Sequence, residues 1–258
     1  MIKRWWSSLN IAFSMYSRLP AAQCDWSEEN MRYVMCFFPW IGIVIGALCV
    51  GWAALADILA VGAPLRNVIL MLIPVAVSGG IHLDGLLDTA DAMSSWRPRE
   101  KRLEILKDSN SGAFAVIACG VYFFLAYAVA DAVHGKQILV YALVFVISRS
   151  LSGLSVVTFP KASANGTVAG FAKNAQTRVI QSVLICYIIG VFAVLLFLEP
   201  VFAVVAAAAA ALVFIWYYRM AMKYFGGING DLAGCFLSVC EVAVPLAVVL
   251  ADLVIRAI

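Results

Sequence analysis

Long apolar blocks are the feature of this sequence that most limits how the chain can fold. Each block has roughly 20 residues, the length of an α-helix that crosses the hydrocarbon core of a bilayer. Hydrophobic residues make up 64% of the chain and charged residues 13%, whereas a soluble domain carries about 45–50% apolar and about 25% charged residues. Few blocks have a polar stripe, so their outer surfaces are expected to face lipid. The sequence therefore predicts an all-α, polytopic integral membrane protein.

The apolar blocks predict about seven transmembrane helices in a single domain that covers residues 1–258. Residues 1–33 precede them and form an amphipathic segment, in which Trp5 and Trp6 are typical of a helix at the membrane interface. The predicted spans are approximately 34–56, 67–83, 112–133, 138–158, 179–198, 201–218 and 233–255.

The basic residues predict the orientation of these spans. With the N-terminus placed in the cytoplasm, 14 of the 18 Lys and Arg residues fall on the cytoplasmic side, as the positive-inside rule requires. The expected location is the bacterial inner membrane. The net charge is only +3 and no basic tract is present, so nucleic acid is not an expected partner.

An acidic stretch at the end of the second predicted span carries the strongest functional signal. It is Ser78-Gly-Gly-Ile-His-Leu-Asp-Gly-Leu-Leu-Asp-Thr-Ala-Asp91, with aspartates at 84, 88 and 91. On a helix these spacings place Asp84, Asp88 and Asp91 on one face, where like charges near the membrane are costly. A divalent cation offsets that cost, and Mg²⁺ is the usual ion where phosphates share the site.

The alternative to a metal site is a solvated acidic helix end that pairs with the basic loop at 97–101. The glycines at 79, 80 and 85 weigh against that alternative, because glycine lowers helix stability and permits close approach of another group. His82 precedes the first aspartate by two residues and has three candidate roles. It can be a general base, a partner of a metal ligand, or a buried packing histidine.

A second polar element precedes the third predicted span. It runs Lys107-Asp108-Ser109-Asn110-Ser111-Gly112. One interpretation is that Asp108 or Ser109 caps the following helix. The other is that the helix N-terminus and Lys107 together bind a phosphate.

A third element, Tyr224-Phe-Gly-Gly-Ile-Asn-Gly-Asp231, precedes the last predicted span. Asp231 falls on the same predicted membrane side as Asp84. Glu241 lies inside the last span, where a buried carboxylate is by default a functional hypothesis. Arg149 lies inside the fourth span and is either a counter-ion for Glu241 or a phosphate clamp. The sequence does not separate these two roles.

In their order along the chain, these elements resemble those of the cobalamin synthase family, also called adenosylcobinamide-GDP ribazoletransferases. The segment Gly80–Asp91 is similar to the family hallmark G-x-H-L-D-G-L-x-D-T-x-D. The further similarities are Lys107-Asp108-Ser109 with Gly112 to (R/K)-D-S-x-x-G, Gly226–Asp231 with Gly234 to G-G-x-x-G-D-x-x-G, and Phe13–Pro20 to the family's start. Asn110 stands where an arginine is common and Ser238 where a glutamate is usual, so these departures bear on substrate contacts.

The resemblance implies a phosphoryl-group transfer at the cytoplasmic membrane face. A ribose hydroxyl of α-ribazole, or of its 5′-phosphate, attacks the cobinamide-linked phosphorus of adenosylcobinamide-GDP, and GMP leaves. Asp84, Asp88 and Asp91 are the predicted ligands of one or two Mg²⁺ ions, and Asp231 either completes the cluster or orients the hydroxyl. The predicted catalytic residues are these four aspartates and His82. The predicted substrate-binding residues are Lys107, Asp108, Ser109, Gly112, Arg149, Gly227, Gly230 and Glu241.

Two other functions compete with this one. A prenyl- or CDP-alcohol-type transferase uses a similar aspartate cluster, although the His-Leu before Asp84 fits cobalamin synthases better. A transporter would use Asp84, Arg149 and Glu241 as coupling charges, but no internal repeat is seen. The expected substrate opening lies between the loops at 84–111, 159–178 and 219–232. The oligomeric state stays open, a homo-oligomer included.

Overall fold

The computed structural model describes residues 2–163, 170 and 175–257, and all its regular elements within them are helices apart from one isolated bridge between Lys161 and Ile228. The predicted all-α class is confirmed. The helices are α1 Ile2–Tyr16, α2 Glu28–Met31, α3 Val34–Ile58, α4 Ala63–Ser78, α5 Ile81–Ser94, α6 Arg99–Ile105, α7 Ala113–Ala132, α8 Gln137–Thr158, α9 Thr177–Leu198, α10 Pro200–Phe225 and α11 Gly230–Ala257.

Within the described residues, six helices are long and apolar enough to cross a membrane, and the number rises to seven if α4 and α5 form one broken span. The chain is therefore a multi-pass membrane protein, as predicted. The second predicted span, 67–83, is wrong at its end, because α4 stops at Ser78 and α5 turns away by 93°. Gly79 and Gly80 make this turn with φ of 68° and 82°, a left-handed conformation that costs glycine little.

Helix α8 lies in the middle of the bundle, packed against α3, α9 and α11. Glycines on α3 allow the closest of these contacts. An added Cβ at Gly46 would lie 2.5 Å from the Ala142 carbonyl oxygen, and one at Gly42 would overlap the Phe145 carbonyl group. Small residues of this kind let membrane helices approach until their backbones touch. Helices α9 and α10 are instead largely exposed, and Phe197 is 88% accessible.

The crossing of α5 and α11 brings the acidic stretch to the last helix. Two glycines make the crossing close. An added Cβ at Gly85 would lie 2.5 Å from the Asp231 carbonyl oxygen, and one at Gly234 would lie 3.0 Å from the His82 carbonyl oxygen. Backbone therefore meets backbone at this point, and a larger side chain at either glycine would separate the helices.

The N-terminal segment forms the predicted amphipathic helix, α1. Its apolar side packs on the start of α3, where Trp5 stacks on Tyr33 with the ring centroids 5.2 Å apart. Trp6 points outward and is 58% exposed, as expected of an aromatic anchor at the membrane interface. The segment is tied to the bundle by the Arg18 amide, which donates a hydrogen bond to the Val77 carbonyl at 2.7 Å.

Candidate active site

Four carboxylates meet where α5 crosses the start of α11. Asp84, Asp88 and Asp91 lie along helix α5, as the spacing predicted, and Asp231 lies in the first turn of α11. The Asp88 carboxylate feels the charges of the other three aspartates. Asp84 is exposed, whereas the other three are partly buried. We call these four residues the acidic cluster.

The charge of the acidic cluster has no basic partner in the part of the chain that the structure describes. None of the six ion pairs found there, defined by an N···O distance up to 4.0 Å, includes one of the four aspartates. Lys101 pairs with Glu104 instead, at 2.7 Å. The alternative of an acidic helix end paired with the basic loop is therefore not observed. The like charges of the acidic cluster therefore repel one another without a paired basic side chain among the described residues.

The donor chemistry of the acidic cluster fits a hard divalent cation, although the side chains do not converge on one point. Among the described residues, no group of three or more His, Cys, Asp or Glu side chains is arranged to hold a metal ion. Mg²⁺ does not need such a cage, because it keeps several waters and binds through one or two carboxylates and substrate phosphates. The metal stays a prediction, supported by the uncompensated carboxylate oxygens.

Asp91 has a structural partner that the sequence did not predict. Its carboxylate accepts hydrogen bonds from the Gly112 amide at 2.5 Å and the Ala115 amide at 2.9 Å, at the N-terminus of α7. Asp91 therefore caps α7 from another helix. The predicted cap by Asp108 or Ser109 is wrong, since the helix begins after Gly112 without a local side-chain cap. An added Cβ at Gly112 would lie 2.8 Å from Asp91 Oδ1, so a larger residue there would displace the Asp91 carboxylate from its capping position.

The loop before α7 presents its polar groups to solvent. Lys107, Asp108 and Ser109 are all exposed. Asp108 Oδ1 accepts hydrogen bonds from the Asn110 backbone amide at 3.0 Å and from Asn110 Nδ2 at 2.8 Å. These two bonds hold the pKa of Asp108 below its usual value. Lys107 makes no ion pair with any described residue, so its ammonium group is accessible to an anion.

The late glycine element ends α10 and aims Asp231. Gly226 closes α10 with φ of 68°. Asn229 then makes two side-chain bonds, in which Nδ2 donates to Asp231 Oδ2 at 2.8 Å and Oδ1 accepts from the Leu232 amide at 2.9 Å. Asn229 thus caps α11 and orients one carboxylate of the acidic cluster. Gly230 has open space at its Cα, which leaves room for a ligand beside Asp231.

Lys161 is a residue near this element that the sequence analysis missed. Its backbone packs directly on Gly227, where an added Cβ would overlap the Lys161 carbonyl carbon. The Ile228 amide donates to the Pro160 carbonyl at 2.8 Å, and the Ala162 amide donates to the Ile228 carbonyl at 2.9 Å. The side chain is half-buried, and burial lowers the pKa of Lys161 to about 8. No motif marked it, because the contact joins segments far apart in sequence.

Residues 164–169 and 171–174 of the predicted opening lie outside the described residues.

Arg149 and Glu241 form an ion pair inside the bundle. Arg149 Nη1 lies 2.6 Å from Glu241 Oε1, and the two side chains are 0% and 6% exposed. Ser148 donates a second hydrogen bond to the same carboxylate oxygen at 2.9 Å. Of the two roles predicted for Arg149, the structure shows that of counter-ion. Neither side chain therefore offers a free surface to a substrate in this structure.

His82 lies between the acidic cluster and the interior. It is 7% exposed, and its ring meets Phe38 edge-on with the centroids 5.9 Å apart. His82 Nε2 has no hydrogen-bond partner in the described part of the molecule. A buried polar atom without a partner is costly, so packing alone does not account for a histidine here.

Known proteins place the chain in a family. The model of the family described as cobalamin-5-phosphate synthase matches residues 8–249. The adenosylcobinamide-GDP ribazoletransferase of Lachnoclostridium phytofermentans is 45% identical over 98% of this chain and 97% of the relative. The protein of that name in Brevibacillus brevis is 34% identical over 92% of this chain and 96% of its own length. No solved structure matches. The segment Gly80–Asp91, which resembles the family hallmark, thus lies within the part of the chain that the family model matches. The chain belongs to the cobalamin-5-phosphate synthase family.

Proposed function

We propose that this protein is an adenosylcobinamide-GDP ribazoletransferase that joins the nucleotide loop of cobalamin. A ribose hydroxyl of α-ribazole, or of its 5′-phosphate, forms a bond to the cobinamide-linked phosphorus of adenosylcobinamide-GDP. The bond from that phosphorus to the oxygen of GMP breaks, and the hydroxyl proton is released. The observation that carries the proposal is the acidic cluster, which has no basic partner among the described residues, in a chain of this family.

We propose Mg²⁺ as the cofactor, bound by the acidic cluster of Asp84, Asp88, Asp91 and Asp231, with one or two of these carboxylates as direct ligands and the others reaching it through its waters. Asp91 contributes through lone pairs that the cap of α7 leaves free. When bound, the ion neutralises charge on the phosphoryl oxygens and the leaving group. The carboxylates then position rather than react, which is the usual protein contribution to phosphoryl transfer.

Other residues of the chain orient the groups around the acidic cluster. The Asn229 amide fixes Asp231 Oδ2, so Asp231 can accept a hydrogen bond from the attacking hydroxyl with its other oxygen. Lys107 is exposed on the loop that Asp91 ties down through Gly112, and it supplies a cation for the diphosphate. The exposed main chain at Gly230 admits a ligand beside this set.

We place the site at the cytoplasmic face of the bacterial inner membrane. The acidic cluster, the loop at 107–112 and the glycine element at 226–231 all adjoin segments rich in Lys and Arg. The positive-inside rule assigns such segments to the cytoplasm. The nucleotide-linked donor is charged, so access from the aqueous side agrees with this orientation.

A GMP-release assay tests the proposed function. The purified protein in liposomes is given adenosylcobinamide-GDP, α-ribazole 5′-phosphate and Mg²⁺, with and without a chelator. GMP release with formation of a complete corrinoid, lost on chelation and restored by added Mg²⁺, is the expected result. Absence of turnover by the folded protein would overturn the proposal.

Asp88→Asn is the variant that tests the role of the acidic cluster. It removes one charge without a change of shape, so folding and membrane insertion should persist while turnover falls by at least about 100-fold. Asp57→Asn is the matched control, because Asp57 is 76% exposed at the far end of α3. Near-normal turnover of Asp88→Asn would refute the assignment of Asp88 to the metal.

A further inference from the structure

A partly open pocket lies beside the acidic cluster, between the helices of the bundle. Its volume is about 240 Å³, and residues of α1, α3, α5, α8 and α11 line it. Most of the lining is apolar, with Phe38 and Tyr16 in contact at a centroid distance of 4.5 Å. Asp84 and Asp231 form part of its wall. We call it the aromatic pocket.

One buried polar atom on the wall of the aromatic pocket has no partner. His82 lines the pocket at 7% exposure, and its Nε2 makes no hydrogen bond to any described residue. In the tautomer that carries the proton on Nε2, this atom is a hydrogen-bond donor. Apart from Asp84, Asp231, Ser152 and the Tyr16 hydroxyl, the wall is apolar, so a complementary ligand would have a flat apolar body and an acceptor atom on one edge.

We propose that the aromatic pocket binds the benzimidazole base of the acceptor nucleoside, with His82 Nε2–H donating to the ring nitrogen that is not bonded to ribose. The inference rests on the proposed function and adds to it the place of one substrate. A benzimidazole is a flat bicyclic ring whose edge carries one nitrogen lone pair. It matches both the apolar lining and the unpartnered donor.

The size of the aromatic pocket selects the acceptor over the donor. Pockets for drug-sized ligands have volumes of about 300–1,000 Å³, so about 240 Å³ suits one bicyclic ring. The corrin macrocycle of the donor is far larger than such a ring. A base held in this pocket leaves its ribose beside Asp84 and Asp231, where the attacking hydroxyl is needed. Phe38 and Tyr16 give the base aromatic faces to pack against.

Filling the pocket is the first test. Val156 lines the pocket and is 5% exposed, so Val156→Phe adds a ring inside it. The matched control is Val194→Phe, on a part of α9 that is 47% exposed. We expect Val156→Phe to raise the Kd of α-ribazole by at least about tenfold and to leave the KM of the GDP-linked donor unchanged. An unchanged Kd for α-ribazole in the folded variant would overturn the proposal.

The second test isolates the hydrogen bond from His82. An analogue with an indole base replaces the accepting ring nitrogen by carbon at almost constant shape. The wild type should bind this analogue about tenfold more weakly than α-ribazole, whereas His82→Ala should bind the two equally. Equal binding by the wild type, or the same preference in His82→Ala, would overturn the contact.

These binding measurements separate the two proposals. Binding of α-ribazole is followed directly by equilibrium dialysis with the protein in nanodiscs, without donor or turnover. If the wild type releases GMP and Val156→Phe binds α-ribazole as tightly as the wild type does, the pocket assignment alone is refuted. A wild type that neither turns over nor binds α-ribazole refutes the proposed function as well.

Discussion

Replacing Gly85 with alanine should separate the two helices that carry the acidic cluster. An added Cβ at Gly85 would lie 2.5 Å from the Asp231 carbonyl oxygen and 2.9 Å from the Asp231 Cα. Both are backbone atoms, so no change of rotamer relieves the overlap. Ordinary van der Waals contact begins at 3.4 Å, so α5 and α11 must part by about 0.9 Å at this crossing.

That displacement is expected to cost more in catalysis than in stability. Overpacking of this kind typically costs about 1–3 kcal/mol of unfolding free energy. A misplacement of about 1 Å between reacting groups can cost about 100-fold in rate. Because Asp231 moves relative to Asp88, we expect kcat/KM of Gly85→Ala to fall by about 100-fold while the protein stays folded and inserted.

The assay is GMP release at saturating Mg²⁺, together with thermal unfolding followed by circular dichroism in the same detergent. Gly120→Ala on α7 is the control, because an added Cβ there has nothing within 4 Å. It should match the wild type in both measurements. Full activity of a folded Gly85→Ala would refute the argument that the spacing of the acidic cluster depends on this close crossing.

Three more predictions follow from named contacts. Asp91→Ala removes the two hydrogen bonds that cap α7, so it should lower the unfolding free energy by about 1–2 kcal/mol, seen as a lower Tm; an unchanged Tm contradicts the cap. Glu241→Gln should lower the unfolding free energy by about 3–5 kcal/mol, because Arg149 is left buried without its counter-charge. The double variant Arg149→Met with Glu241→Leu should recover most of that stability. A double variant as unstable as the single one contradicts a purely structural pair. Burial lowers the pKa of Lys161 from 10.5 to about 8, so the folded state binds fewer protons than the unfolded state between those pH values and stability should rise with pH across that window. Denaturant unfolding at several pH values should show this rise in the wild type and a flatter profile in Lys161→Met.

Much of the acidic cluster was predictable from the sequence, because helical spacing is a local property. The intervals between Asp84, Asp88 and Asp91 predict that they share one face of a helix, and all three lie along α5. For Asp231, the sequence predicted only that it lies on the same side of the membrane as Asp84. Its closeness depends on backbone contact at Gly85 and Gly234, which a glycine in a sequence permits but does not specify.

The cap of α7 and the role of Arg149 could not be settled from the sequence for the same physical reason, namely that their partners are distant in sequence. One interpretation of the sequence assigned the cap of α7 to Asp108 or Ser109, because local side chains usually cap helices, but Asp91 supplies it from 21 residues away. The alternatives for Arg149 stayed open because a charge inside a span needs some partner, and only the packing of α8 on α11 shows that the partner is Glu241.

The sequence by itself determined that this protein lies in a membrane, that it is helical and which family it resembles. Hydropathy, helical period and the hallmark Gly80–Asp91 are local properties of the chain. It also determined which carboxylates share a helix face. The tertiary structure decided the sharp turn at Gly79 and Gly80, the crossing of α5 and α11, the pairing inside the bundle and the aromatic pocket beside His82. These features depend on how closely two backbones approach and on which side chains meet across helices, and that information exists only once the chain has packed.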